Sequence, residues 1–285
     1  MSPLRVVALT TLAMLAFAGN SLLCRVALRD TGIDAASFTT LRLLSGALML
    51  WLLVWLRRGS YAGAGNYRSA FALFVYAAGF SFAYLGLTAA TGALLLFGAV
   101  QVTMISHGLW RGERLAGSQL AGFVLAAAGL VGLLLPGLTA PPLFPAGLML
   151  LAGIAWGVYS LRGKGAGDPL QVTAGNFLRA VPIAAVLSLL LFGGSAISAT
   201  GVYYAVASGA LASGIGYAIW YTALPALQAT TAASVQLSVP VIAALGGIAF
   251  LGEPLSLRLV AASAAILGGI ALVIVRKRGA PSGQD

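Results

Sequence analysis

The sequence predicts an all-α integral membrane protein, and three observations carry that reading. Hydrophobic residues make up 60% of the 285-residue chain and charged residues 8%, where a soluble domain carries roughly 25% charged residues. Mean hydropathy is +0.99. The apolar runs are continuous, as in VAASAAILGGIALVIV (260–275), and reach the length of about 20 residues that a helix needs to span a hydrocarbon core. Only helices and closed barrels satisfy the backbone inside lipid, and barrel strands would alternate apolar and polar residues.

Ten apolar segments follow one another: 5–26, 36–56, 69–87, 89–109, 117–136, 144–161, 170–192, 199–219, 228–251 and 257–275. The connections are short and leave no room for a soluble domain; the tail 279–285 is expected to be mobile. Net charge is +10, but the basic residues sit between apolar runs, which points to membrane topology rather than nucleic acid. With the N-terminus inside, the cytoplasmic side receives Arg5, Arg57, Arg58, Arg68, Arg111, Arg114, Arg162, Lys164, Arg276, Lys277 and Arg278. The opposite side receives only Arg25, Arg29 and Arg258. Both termini are therefore expected in the cytoplasm. A signal peptide cleaved after Ala18 is the rival reading of segment 1; the repeat described next needs that segment. The single cysteine, Cys24, excludes an intramolecular disulfide. The loop RGKGAGD (162–168) resembles a phosphate loop only faintly and lacks its residue order.

Shifted by 140 residues, LTAATGALLLFGAVQVTMISHGLWRGERL (87–115) falls on LQATTAASVQLSVPVIAALGGIAFLGEPL (227–255). The coincidence of Gly112-Glu113 with Gly252-Glu253 is telling because the chain holds only six acidic residues. Asp34 precedes segment 2 as Asp168 precedes segment 7. An odd number of helices inverts the second copy, so the sequence predicts two inverted five-helix repeats, 1–138 and 139–278, a common build for secondary transporters. Each glutamate is expected to accept backbone N–H bonds at the start of the helix that follows it, with a gate role as the alternative. Glycine relieves the turn and Pro254 suits a helix start.

Ten helices, the inverted repeat, the Gly-Glu-x-Leu turns and Pro240 in SVPVIAALGG together resemble the drug/metabolite transporter superfamily, in particular its EamA-type ten-helix members. The first copy departs from that pattern, with Val100 opposite Pro240. Within the superfamily the chain looks most like bacterial aromatic amino-acid exporters. The resemblance implies an inner-membrane carrier with a central cavity between two halves, working by alternating access.

No Asp or Glu falls inside the ten segments. This argues against a membrane-embedded acid–base or metal enzyme and against obligatory proton exchange. No cofactor or metal is expected. His107 is the remaining titratable candidate, and its place near the end of segment 4 reads as interfacial. Asn20, Gln101 and Gln236 are expected to line the cavity, and Asn176 to bond between helices, since an amide facing lipid is costly. Tyr76, Phe80 and Tyr84 share one face of segment 3. They join Phe97, Trp156, Tyr159 and Tyr217 as aromatic cavity candidates, suited to flat, largely apolar solutes. Trp51, Trp55, Trp110, Trp220 and Tyr221 read as interfacial aromatics. Arg42 and Arg179, in the second segment of each repeat, either snorkel and cap carbonyls or recognise a substrate carboxylate. Gly153 and Gly157 form a G-x-x-x-G pair for close helix approach.

The expected function is export of aromatic or large neutral amino acids. The alternatives are export of other metabolites or drug-like compounds and, from other classes, a lipid-modifying enzyme or a channel. The expected partners are a small-molecule substrate and the lipid bilayer, with no nucleic acid, for a monomer.

Overall fold

The computed structural model of the chain describes residues 1–57, 64–112, 116–137, 140–163, 167–191, 198–227 and 235–275. Glu113, Arg58, Arg114, Lys164 and the tail 279–285 lie outside the described residues. The helices are α1 (Pro3–Asp30), α2 (Ala35–Leu56), α3 (Tyr67–Ala83), α4 (Ala89–Trp110), α5 (Gly117–Leu134), α6 (Leu143–Gly163) and α7 (Pro169–Leu190). They continue with α8 (Ala199–Ala226), then α9 (Ser238–Leu251) and α10 (Leu257–Val275). Helices α1, α2 and α4 to α8 are long and apolar enough to cross a membrane, and α9 and α10 are shorter apolar helices.

Local chemistry sets many of the helix starts. Asp34 Oδ1 accepts from the amides of Ala36 and Ser37 at 2.9 and 2.8 Å. Asp168 Oδ1 does the same for Leu170 and Gln171 at 2.9 and 3.1 Å. Both are N-caps that satisfy donors a helix leaves free. Ser2, Asn66, Thr88 and Ser198 cap α1, α3, α4 and α8 in the same way. Pro240 sits in the first turn of α9, where its missing N–H costs nothing. Several boundaries differ from the sequence reading; α3, for one, ends at Ala83 and not at 87. Helix α1 runs on to Asp30, so Arg25 and Arg29 belong to its last turns and not to a loop. Helix α8 continues past 219 to Ala226, through a π-helical stretch at Ala207–Ile215.

The bundle buries small and aromatic side chains inside and turns large apolar ones outward. Leu48, Trp55, Phe71, Leu189 and Phe250 are exposed. In water such a surface would be unfavourable at about 25 cal/mol per Å²; in lipid it is solvated. Trp51 and Trp110 also face outward, as the sequence reading expected of interfacial aromatics.

Helix α1 packs on α8 and α9, and α6 packs on α3 and α4. Helix α2 packs on α7 and α8, α3 on α7, and α5 on α10. The α4–α6 contact is close because a Cβ at Gly153 would press on Ala99 and the Leu96 carbonyl of α4. Gly157 lies against Thr103 of the same helix. The α5–α10 pair is joined by Gln119, which donates to the Val273 carbonyl at 3.0 Å.

Candidate functional site

The helices leave an internal cavity in two connected parts. The larger, about 380 Å³, is lined at one end by Ser69, Arg162, Gly163 and Pro169, the termini of α3, α6 and α7. Deeper, its walls are Gln101, Trp156, Tyr159, Asn176, Tyr217 and Gln236. A smaller part, about 20 Å³, continues inward between Asn20, Tyr76, Phe80 and Phe97. Phe17, Trp156, Tyr217 and Gln236 line both parts. The combined size falls in the ordinary range for small-molecule sites.

Trp156 is the centre of the aromatic wall. Its ring lies 4.8 Å from that of Tyr76, 5.4 Å from Tyr159 and 5.2 Å from Tyr217. Phe17 meets Tyr217 edge-on at 5.7 Å. These rings come from α1, α3, α6 and α8, so the wall forms only when both halves of the chain pack together. The amides are fixed from the same helices. Asn20 Oδ1 accepts from the Ser208 hydroxyl, in the π-helical stretch, at 2.6 Å. Asn176 Oδ1 accepts from the Asn66 amide at 2.9 Å, and Asn176 Nδ2 donates to the Tyr159 hydroxyl at 3.4 Å. Asn176 therefore bonds between helices, as expected from the sequence, and also lines the cavity.

At Arg162 the larger part is bounded by helix ends. Arg162 Nε donates to Ser69 Oγ at 3.1 Å, and its Nη2 donates to Asn66 Oδ1 at 3.3 Å. At the other end of α3, about 25 Å away along the helix at 1.5 Å per residue, the bundle is tied shut. Arg25 Nε pairs with Glu253 Oε1 at 3.1 Å, and Glu253 Oε2 accepts from the Ala89 amide at 2.8 Å. Arg25 Nη1 donates to the Tyr84 carbonyl at 2.8 Å, and Arg29 Nη1 donates to the Leu251 carbonyl at 3.0 Å. Gly252 makes this possible. It turns at φ 62, in the left-handed region, so the Gly252 and Glu253 amides both return to the Gly247 carbonyl and the carboxylate points back into the bundle.

Several sequence expectations meet this geometry differently. Glu253 does cap a helix, but the helix is α4, which precedes it by 164 positions, and not α10, which follows it. Tyr84 does not line the cavity. It is fully buried at the tied end, edge-on to Phe80, with its hydroxyl donating to the Ala89 carbonyl at 3.4 Å. Tyr84 stands one turn past Phe80 and packs against its ring at 4.8 Å, beyond the part of this face that borders the cavity. Trp220 and Tyr221 line the cavity instead of facing an interface, because α8 runs on beyond them. Asn20, Tyr76, Phe80, Phe97, Gln101, Trp156, Tyr159, Tyr217 and Gln236 all lie in its walls.

The two arginines part company. Arg179 is half-buried, lies over the Tyr67 ring and donates to the carbonyls of Ala64 and Gly175 at 2.6 and 2.9 Å. Arg42 does not snorkel: it is 2% exposed. His107 lies in an outward groove with Trp110 and Leu130, away from the cavity. The sequence reading missed Phe17, although it stands three positions before Asn20 and so shares its helix face. It also missed the Arg25–Glu253 pair, which no local spacing announces.

Residues 143–275, helices α6 to α10, match the EamA-like transporter family. The chain is 62% identical over 276 residues to an uncharacterized protein of Pseudomonas aeruginosa, covering 96% of each chain. Helices α6 to α10 of this chain are an EamA-like transporter family domain. A crystal structure of a protein 18% identical superposes with a TM-score of 0.70, covering 98% of this chain and 100% of that one. At that identity the likeness speaks for the fold alone. The family, the apolar helices and the internal cavity together describe a multi-pass membrane protein of a class that moves small molecules.

Proposed function

We propose that the chain is a secondary transporter that exports amino acids with aromatic or large neutral side chains across the inner membrane by alternating access, without obligatory proton exchange. The observation that carries this reading is the cavity. It has aromatic walls, amides that both donate and accept, and one tied end. In this reading the Arg162 end faces the cytoplasm, the Arg25 end faces outward, and the conformation is inward-facing. Both termini are cytoplasmic.

The packing supports ten membrane helices in two inverted halves, 1–138 and 139–278. Exchanging α1–α5 for α6–α10 turns the α1–α9 contact into α6–α4, and α3–α6 into α8–α1. It maps α2–α7 and α5–α10 onto themselves. The Asp34 and Asp168 caps occupy matching positions. Such a pair of halves can rock about a site at their interface. Glu253 then serves as the outer gate, released when the halves tilt. Among the described lining residues of the cavity there is no carboxylate to carry a proton, which supports movement down the substrate's own gradient.

The test is uptake of labelled phenylalanine or tryptophan by proteoliposomes holding the purified chain, at equal pH inside and out, with and without a proton ionophore. Uptake to equilibrium unaffected by the ionophore is expected. A requirement for a pH gradient would overturn the uncoupled mechanism. No uptake by folded protein would overturn the substrate class.

A further inference from the structure

Arg42 stands eight residues into α2 with its guanidinium sealed inside the bundle. One nitrogen, Nη2, donates to the Tyr76 hydroxyl at 3.0 Å. The other two, Nε and Nη1, have no hydrogen-bond partner among the described residues. The charge lies 4.8 Å from the Phe80 ring centre and 5.2 Å from that of Tyr76. No carboxylate pairs with it: among the described residues the ion pairs are Arg25–Glu253 and Arg29–Asp30. A fixed cation inside a membrane bundle is costly unless something compensates it. Ring faces compensate it only in part.

Tyr76 and Phe80 are also walls of the inner part of the cavity. The cation therefore stands directly behind the blind end of the cavity, one ring away. The Tyr76 oxygen accepts from Arg42, which leaves its own O–H to donate. A hydroxyl polarised in this way by a guanidinium is a strong donor to an anion. The rest of the cavity agrees in sign. Its described lining includes Arg162 and no acidic side chain.

We infer that the blind end of the cavity is an anion subsite that selects substrates by their carboxylate, bound through the Tyr76 hydroxyl and charged by Arg42. This rests on the transporter reading above and sharpens it. An α-amino acid would place its carboxylate at Tyr76 and its side chain against Trp156 and Tyr217. Its ammonium would meet ring faces and amide oxygens. An organic cation without a carboxylate is disfavoured, so the cavity does not serve cationic drug-like compounds. Arg42 acts through Tyr76 and is a positioning and charge-setting residue.

The experiment measures binding of three probes with the same phenyl skeleton to the full chain purified in detergent, by calorimetry. The probes are 3-phenylpropionate (carboxylate only), phenylalanine (both groups) and phenethylamine (amine only). Wild type is expected to bind both carboxylates at least about tenfold more tightly than the amine, the scale of one charge-assisted hydrogen bond. Arg42→Gln and Tyr76→Phe should each remove about tenfold of carboxylate affinity, and Arg42→Gln should tighten binding of the amine, because the repelling charge is gone. Arg42→Lys should recover part of the loss.

Equal affinity of wild type for the amine and the propionate would overturn the anion subsite while leaving a small-molecule carrier intact. Undiminished carboxylate binding by a folded Arg42→Gln variant would do the same. Failure of wild type to bind any of the three would sink the amino-acid reading and the subsite with it. If Arg42→Gln does not fold, the wild-type comparison and Tyr76→Phe still decide.

Discussion

The two ends of the cavity are built from opposite kinds of contact. At the Arg25 end a buried ion pair and a helix cap converge on one carboxylate, Glu253, and join α1, α4 and the α9–α10 turn. At the Arg162 end, among the described residues, an arginine meets neutral oxygens, those of Ser69 and Asn66. The first arrangement holds three elements in one register. The second lets helix ends separate without stranding a buried charge. The lesson is that a nearly charge-free bundle can tie one end with one well-placed acid. Breaking a buried pair costs far more than loosening neutral hydrogen bonds.

The sharpest way to break this contrast is Glu253→Gln. It leaves Arg25 without its counter-charge and should lower stability by about 3 kcal/mol, the usual scale for a severed buried pair, measured by thermal unfolding in detergent. The same variant should open the tied end. Cys24 is the chain's one cysteine, is buried, and neighbours Arg25, so its labelling by a maleimide should rise well above that of wild type. Unchanged labelling together with unchanged stability would show that Glu253 only shapes a turn.

A smaller effect is expected between the two ends. Trp156→Ala removes the ring that touches Tyr76, Tyr159 and Tyr217 and should weaken binding of aromatic solutes by about tenfold, from lost ring contacts and area. Trp156→Phe should restore most of it; equal loss in both variants would argue against a ring-face contact.

At the Arg162 end, Asn176→Ala orphans the Asn66 amide and should cost about 1–2 kcal/mol. This is less than Glu253→Gln, and a reversed order would undo the comparison of the two ends. The smallest effect sharpens the comparison of the two halves. Asp34→Ala and Asp168→Ala each remove an N-cap from matching helices and should cost about 1 kcal/mol apiece. A large difference between them would mean that the two caps do not do equivalent work.

Much of the site was legible because helix periodicity is local. Tyr76 and Phe80 stand one turn apart, as do Phe97 and Gln101, and in an apolar helix a polar amide marks the protected face. Tyr84 was misplaced because the cavity stops short of the last turn of α3, and helix period does not mark where a cavity stops. Trp220 and Tyr221 were misplaced for the converse reason. Their helix continues, so side chains that look terminal in the sequence lie inside the bundle.

The sequence by itself determined the membrane-embedded helical build, the caps at Asp34 and Asp168, and most of the side chains that face the cavity. Each of these depends on hydropathy, capping chemistry or spacing within one helix. Only the tertiary structure decided that Glu253 belongs to α4 and Arg25, that Arg179 finds backbone oxygens, and that Arg42 stands behind Tyr76 with no carboxylate partner among the described residues. Those facts depend on which helices touch. Helices distant in sequence meet through shape and small residues, and an electrostatic partner 228 positions away leaves no trace in local pattern.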